Sequence, residues 1–344
     1  YQQQKIKNQQ KINEIAGQLP SWFHGFILYC SMNNTATLTQ RNYCYDTRLF
    51  LNYLIHHNPA FYGLPLDDIP AELLDQLTLD DFERYVDYLS YYIDENATER
   101  VNDAKGKARK IASLRSLFKY LMKKDLLKNN VTALLSTPKI NEKSIIYLQP
   151  NEAAALLDVV ESGKGLTPGQ MKYHQRDMLR DKAIITLFLT SGIRVSELVG
   201  MNISDISFEE LAFRVVRKGG DQVELYFDTE AESALLDYLE QRKERGTYEA
   251  NAPLFINIHG QRLTTRSVEN LVVKYASVAV PHKKITPHKL RSTYGTTLYN
   301  ESGDIYLVAD VLGHKDVNTT RRHYADMSTE RRRRASKMVK IREP

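Results

Sequence analysis

Residues 285–296 read ITPHKLRSTYGT, and the order of residue types in this stretch decides the reading of the whole chain. Thr286-Pro287 marks a helix start, because proline is pre-set for the first helical position, where its missing N–H costs nothing. His288 and Arg291 then stand three positions apart, on one face of that helix. A His-x-x-Arg pair is common by itself, and its weight comes from four other segments. Upstream, TSGIRVSEL (190–198) places Arg194 directly after a buried helix, RDKAIITLFLTSG (180–192), that stops at Gly192. Taken alone, such an arginine reads as a surface residue. RKGGD (217–221) places Lys218 at a Gly-Gly turn between the two β-rich runs of LAFRVVRKGGDQVELYF (211–227), a hairpin pattern. Alone, that lysine reads as a solvated turn residue. Downstream, LGHKD (312–316) is a Gly-punctuated turn carrying His314, and TTRRHYADM (319–327) carries Tyr324, one of 21 tyrosines.

Order and spacing make the five segments specific. Arg291 to His314 is twenty-three positions and His314 to Tyr324 is ten. The set resembles the tyrosine recombinase (phage integrase) family, whose motif runs Arg, hairpin Lys, H-x-x-R, L-G-H and then a nucleophilic Tyr. The resemblance covers roughly residues 150–327. It implies a catalytic set of Arg194, Lys218, His288, Arg291, His314 and Tyr324, with Glu197 as an accessory acid. Read without the family, Arg194 and Glu197 are equally a surface ion pair. The sequence departs from the family at Ser292, where many members have His; that position is not catalytic.

The chemistry of these residues agrees with the resemblance. A phosphodiester is an anion that gains charge during displacement, and Arg194 and Arg291 carry permanently charged, bidentate guanidiniums suited to it. His288 and His314 can donate to the same phosphate, and His288 can exchange a proton with the nucleophile. Lys218 can protonate the leaving 5′-oxygen. The phenol of Tyr324, with a reference pKa near ~10, needs positive surroundings, to which Arg321 and Arg322 can add. Attack gives a 3′-phosphotyrosine that keeps the bond energy for rejoining. The expected cofactor is none, and no metal is expected because side chains supply the cations.

The remainder of the chain bounds this reading. Its 344 residues suggest two domains at ~100–200 residues each. A hydrophobic content of 42% and a charged content of 26% exclude a mainly disordered, collagen-like or coiled-coil protein. Forty-seven Lys and Arg against 42 Asp and Glu leave +5, too little to establish a nucleic-acid partner, so the location of the charge must decide. Cys30 and Cys44 are too few for a disulfide framework or a cysteine zinc cluster, and they point to a reducing compartment. No apolar run approaches the ~18 residues of a membrane span, and residues 1–15 carry no secretory signal. A cytoplasmic, nucleoid-associated protein is expected. The chain starts at Tyr1, not Met, so natural residues are expected to be missing in front.

The fold class is mainly α: an all-helical N-terminal domain without strands, then a mixed α/β catalytic domain with a small antiparallel sheet. Residues 1–19 read as a helical extension, 20–135 as a helical domain, 136–149 as a linker, 150–327 as the catalytic domain and 328–344 as a basic tail. A helix follows Thr37 or Thr39 as N-cap, residues 60–76 form a loop, and TLDDFERYVDYL (78–89) is a Thr-capped helix. PLFINI (253–258) reads as a short strand. From Glu99 to Asp125 a basic helix holds nine Lys and Arg against three acids, with Ile111, Leu114, Phe118 and Leu121 as its apolar stripe. Lys105, Lys107, Arg109 and Lys110 on it are candidate DNA contacts, or else a solvated face. By resemblance the first half matches the family's core-binding domain. The tail, with Arg331–Arg334 and apolar Met338, Val339 and Ile341, would pack onto a neighbouring protomer.

The resemblance thus implies a site-specific recombinase acting on double-stranded DNA with inverted half-sites as a homo-tetramer, with a directionality or cell-division factor as a possible accessory. VRKGG, SVENLVVKY and TPHKLRSTYGTTLY look like the single-recombinase Xer proteins of Gram-positive bacteria, which resolve chromosome dimers. An integrase of a mobile element shares nearly all of these features. A type IB topoisomerase-like enzyme, or a DNA-binding protein without catalysis, are the alternatives outside the family's activity.

Overall fold

The computed structural model describes residues 2–94, 97–139, 145–217, 220–313 and 317. The chain divides into two compact units, residues 1–142 and 143–344.

The first unit opens with helices α1 (Gln2–Ala16), α2 (Ser21–Met32) and α3 (Thr37–His57), followed by a short α4 (Ala71–Leu74) and by α5 (Leu79–Tyr88). Aromatic side chains fill its core: Phe23, Phe26, Phe50, Phe82, Tyr85 and Phe118 are all buried. The Phe50 ring stacks on Phe82 at 5.4 Å and meets Tyr85 edge-on at 4.9 Å, both favourable geometries for quadrupolar rings. The Thr78 hydroxyl accepts from the Asp81 N–H at the start of α5 while the Asp81 carboxylate accepts from the Thr78 N–H, so two orphan donors are satisfied. Helix α3 begins at Thr37 itself and is preceded by Ala36, so neither Thr37 nor Thr39 is its cap.

This unit is not strand-free. An antiparallel hairpin joins β1 (Tyr91–Ile93) to β2 (Glu99–Val101), pairing Tyr91 with Val101, Tyr92 with Arg100 and Ile93 with Glu99. The basic helix therefore starts later than its charge pattern suggests, as α6 (Ala104–Lys123), with the Asp103 carboxylate accepting from the Gly106 N–H. Two physical reasons hide the hairpin in the sequence. Its strands are three residues long, too short for alternation to register, and β2 is a polar segment continuous with the charged run that follows. The segment 60–76, read as a loop, likewise contains the single turn of α4.

The second unit builds on α8 (Pro168–Ser191), which follows α7 (Pro150–Ser162) and precedes the short α9 (Val195–Gly200). Ala183, Ile184, Ile185, Leu187 and Phe188 of α8 are buried on nearly every side, as expected of a central helix. A three-stranded antiparallel sheet runs in the order β3 (Ile206–Ser207), β4 (Ala212–Val216) and β5 (Gln222–Tyr226). Phe213 and Val215 of β4 face the core, Ala212 is buried as well, and the β4–β5 ladder closes at Val216 opposite Gln222. Helices α10 (Thr229–Glu244), α11 (Thr265–Ala279), α12 (Pro287–Ser302) and α13 (Ile305–Leu312) complete the unit. Helix α12 starts at Pro287, as the sequence predicts.

The PLFINI segment forms isolated bridges, not a strand: Asn202 opposite Pro253 and Ile256 opposite Arg262. Pro253 has no N–H to give, and the segment's bonds divide between neighbours, the Leu254 N–H donating to the Met201 carbonyl and the Phe255 carbonyl accepting from Leu263.

Candidate active site

Helix α8 ends where the backbone turns left-handed. Gly192 sits at φ 61°, and a Cβ there would come within 2.4 Å of the Tyr294 ring, so the turn needs glycine for both conformation and space. Ile193 is buried and Arg194 then caps α9. Glu197 grips this arginine twice: Oε2 accepts from the Arg194 N–H at 3.0 Å, and Oε1 accepts from Nη1 at 2.7 Å. The Glu197 side chain is 3% exposed and that of Arg194 34%, so a buried acid orients a guanidinium at the surface.

Arg291 reaches the same place from α12. It is buried, and it donates from Nη1 to the Gly192 carbonyl and from Nη2 to the Leu312 carbonyl. Leu312 is the last residue of α13, whose N-terminus is capped by the Asp304 carboxylate accepting from the Tyr306 and Leu307 N–H groups. Buried Val308 and Leu312 seat α13 against Tyr294 and Leu298 of α12. Arg194 converges there as well, its Nη2 donating to the carbonyls of Leu312 and Gly313, each at 3.0 Å. A third guanidinium arrives from the end of β4, as Arg217 Nη2 donates to the Val311 carbonyl at 3.0 Å.

Three arginines thus surround one helix C-terminus, whose last carbonyls lack intrahelical partners and carry the negative end of the helix dipole. Burial is the main influence on Arg217 and lowers its pKa; the Arg194 charge acts in the same direction, against Glu197 and Asp310. Burial also raises the Tyr294 phenol, with Arg291 opposing. A cluster of guanidiniums at one backbone turn concentrates positive charge where a phosphate can be bound bidentately.

His288 lies exposed in the first turn of α12. Ser292, buried one turn later, donates its hydroxyl to the His288 carbonyl at 3.0 Å. The structure therefore brings Arg194, Glu197 and Arg291 together. Lys218, His314 and Tyr324 lie outside the described residues, as does the tail 328–344. Arg217 is the site residue that the sequence reading missed, although it is the immediate neighbour of Lys218 in the RKGG turn. The signal was present only as a charge beside a charge.

The candidate DNA-contact residues of α6 divide. Lys105 is exposed in the first turn. Lys107 donates to the Ser90 hydroxyl at 2.6 Å, and Lys110 is buried with its Nζ on Asn102 Oδ1 at 2.9 Å. Arg109 clamps the buried Asp46 through both Nη groups, one at 2.8 Å, and the Ser113 hydroxyl donates to the same carboxylate at 2.6 Å. Burial lowers the Lys110 pKa, whereas at Arg109 the Asp46 bond overrides burial and raises it. Arg115 turns inward too, donating to the carbonyls of Thr132 and Leu135 and to the Thr137 hydroxyl.

Among the described residues no group of three or more His, Cys, Asp or Glu could hold a metal ion, and no helix is long and apolar enough to cross a membrane.

Comparison with known proteins gives a consistent result. Residues 147–331 match the phage integrase family. A tyrosine recombinase XerC of Caldanaerobacter subterraneus subsp. tengcongensis is 33% identical over 291 residues, spanning 82% of this chain and 76% of that protein. A tyrosine recombinase XerC of Syntrophus aciditrophicus is 31% identical over 300 residues, 85% of this chain and 88% of its own. Among solved structures, the XerH site-specific recombinase bound to palindromic difH substrate superposes with a TM-score of 0.63, covering 88% of this chain and 80% of that one at 21% identity.

Proposed function

Because the chain belongs to the phage integrase family and is a tyrosine-type site-specific recombinase that breaks and rejoins DNA strands, we propose that its chemistry centres on the arginine cluster at the end of α13. The observation that supports this reading most is the convergence of Arg194 and Arg291, from two different helix junctions, on the Leu312 carbonyl. The scissile phosphate takes the place next to these guanidiniums, and its non-bridging oxygens receive their hydrogen bonds. His288 and His314 add donors. Glu197 keeps Arg194 in the binding rotamer.

The Tyr324 hydroxyl oxygen attacks phosphorus and its proton passes to His288, forming the Tyr–O–P bond to the 3′-phosphate. The P–O5′ bond breaks, and the leaving oxygen takes a proton from Lys218. Attack by the 5′-hydroxyl of a partner strand reverses each transfer and releases the tyrosine. Bond energy is conserved in the phosphotyrosine, so the sequence of steps needs no nucleotide. Fixed cations at the developing charge supply stabilisation of the oxyanion-hole kind.

The substrate is double-stranded DNA with inverted half-sites, bound by two protomers per duplex and four in the synapse. Between the two biological roles, resolution of chromosome dimers is favoured, because the relatives of at least 30% identity above are named XerC.

The test is covalent capture. Protein is incubated with fragmented host genomic DNA in EDTA without nucleotide, denatured in SDS, and the DNA that stays attached is sequenced. The wild type should yield a single palindromic locus, and Tyr324→Phe should yield none while still shifting that locus in a native gel. Retention of covalent DNA by Tyr324→Phe would assign the nucleophile elsewhere. A captured site at the end of a mobile element would replace the chromosomal role with integration.

A further inference from the structure

We propose that Arg217 is a positioning residue for strand cleavage: it ties the β4–β5 hairpin to the C-terminus of α13, and through it the proton donor at the hairpin tip to the phosphate-binding arginines. The inference rests on the reading of Lys218 as general acid given above. A lysine side chain is a flexible four-carbon stem, and proton transfer requires heavy atoms within ~2.6–3.2 Å. The hairpin end must be registered against the phosphate site, and Arg217 donates from that end directly to the C-terminus of α13.

Its backbone belongs to the turn. The Arg217 N–H donates to the Asp221 carbonyl at 2.8 Å, and its own carbonyl accepts from the Gly220 N–H at 3.0 Å. Its side chain belongs to the other element. Nη2 donates to the Val311 carbonyl, one residue before the carbonyl shared by Arg194 and Arg291. The guanidinium lies flat over Gly313, where a Cβ would stand 2.0 Å from Nη1 and 2.2 Å from Cζ. Gly313 also has φ 60°, in the left-handed region that favours glycine. Arginine is the residue that can reach across, cover a glycine with a planar group and still donate to a helix end. The hairpin tip and the turn that leads to His314 are thereby joined through one side chain.

The same geometry separates Arg217 from the phosphate ligands. Arg194 and Arg291 meet at Leu312, whereas Arg217 binds on the adjacent carbonyl with its stem on the hairpin. Its loss should therefore weaken protonation of the leaving group more than it weakens stabilisation of phosphate charge.

A substrate with sulfur in place of the bridging 5′-oxygen distinguishes the two, because a thiolate leaves without a proton. Single-turnover cleavage is measured for wild type, Lys218→Ala, Arg217→Ala, Arg217→Lys and Arg291→Ala on the captured site, with oxygen or sulfur at the scissile 5′ position. On the oxygen substrate, Arg217→Ala should cleave at least tenfold more slowly than wild type with DNA binding within twofold. On the sulfur substrate it should return to within threefold of wild type, as should Lys218→Ala, while Arg291→Ala stays slow. Arg217→Lys should recover only part of the oxygen rate, since an ammonium cannot cover Gly313 and bond Val311 together. If Lys218→Ala is not rescued by sulfur, the general-acid reading of Lys218 fails. If Lys218→Ala is rescued and Arg217→Ala is not, or if Arg217→Ala cleaves the oxygen substrate at the wild-type rate, the positioning role is overturned. A thermal melt of each variant separates these outcomes from unfolding.

Discussion

Two sets of arginines and lysines in this molecule look alike in the sequence and are used in opposite ways. In the second unit, Arg217 and Arg291 donate to backbone carbonyls at the end of α13, as does Nη2 of Arg194, whose Nη1 is held by the Glu197 carboxylate. A carbonyl is neutral, so such a bond orients a guanidinium without cancelling its charge. In the first unit, Arg109 faces the buried carboxylate of Asp46, with Ser113 completing the carboxylate's shell. That charge is cancelled inside the fold. Lys110 is buried beside Asn102, and Arg115 fastens the backbone at Thr132 and Leu135. The density of basic residues therefore overstates the phosphate-facing charge of α6, and the partner of each cation decides what it does.

The largest effect is expected at Arg291. Replacement by Lys keeps the charge but loses the fork that spans Gly192 and Leu312, and single-turnover cleavage should fall by ~10²–10³, the cost of one lost transition-state donor. DNA binding, read by gel shift, should change little. Equal losses in binding and cleavage would make Arg291 a simple phosphate contact. The corresponding change in the first unit acts on stability. Arg109→Gln leaves Asp46 buried beside Ser113 without its cation, and chemical denaturation should show a loss of ~2 kcal/mol, below the ~3–5 kcal/mol of a fully buried pair because Arg109 is half exposed. Stability unchanged within error would mean that the pair is ornamental and that Arg109 is available to DNA. The smallest effect is the sharpest for α6. Lys105→Gln should reduce the slope of log binding constant against log salt by ~1, and Lys110→Gln should leave it unchanged. A slope altered only by Lys110→Gln would reverse the assignment of the two lysines.

These differences also explain what the sequence could and could not reveal. The second unit was legible because its signals are local and ordered: Pro287 at a helix start, Gly192 at a helix end, the RKGG turn signal between two β-rich runs, and fixed intervals between named residues. Glu197 was legible for a related reason, since three positions along α9 bring its carboxylate back onto Arg194. Arg217 was not, because the contact that defines its role crosses 94 positions to Val311 and follows no short-range pattern. The pairing of Asp46 with Arg109 spans 63 positions and was invisible for the same reason. The hairpin of the first unit was lost to length, with strands too short to alternate before the charged helix began.

In the proposed mechanism Arg194 and Arg291, which meet at the end of α13, neutralise charge on the scissile phosphate. Replacing one non-bridging oxygen there by a methyl group removes that charge, so an enzyme lacking one arginine should no longer need it. Cleavage of the methylphosphonate and of the ordinary phosphate is compared for wild type and Arg291→Ala in the same single-turnover assay. Arg291→Ala, nearly inactive on phosphate, should approach the wild-type rate on methylphosphonate. A variant equally defective on both substrates would contradict it, and would make Arg291 a bolt between α8, α12 and α13 with no part in the chemistry.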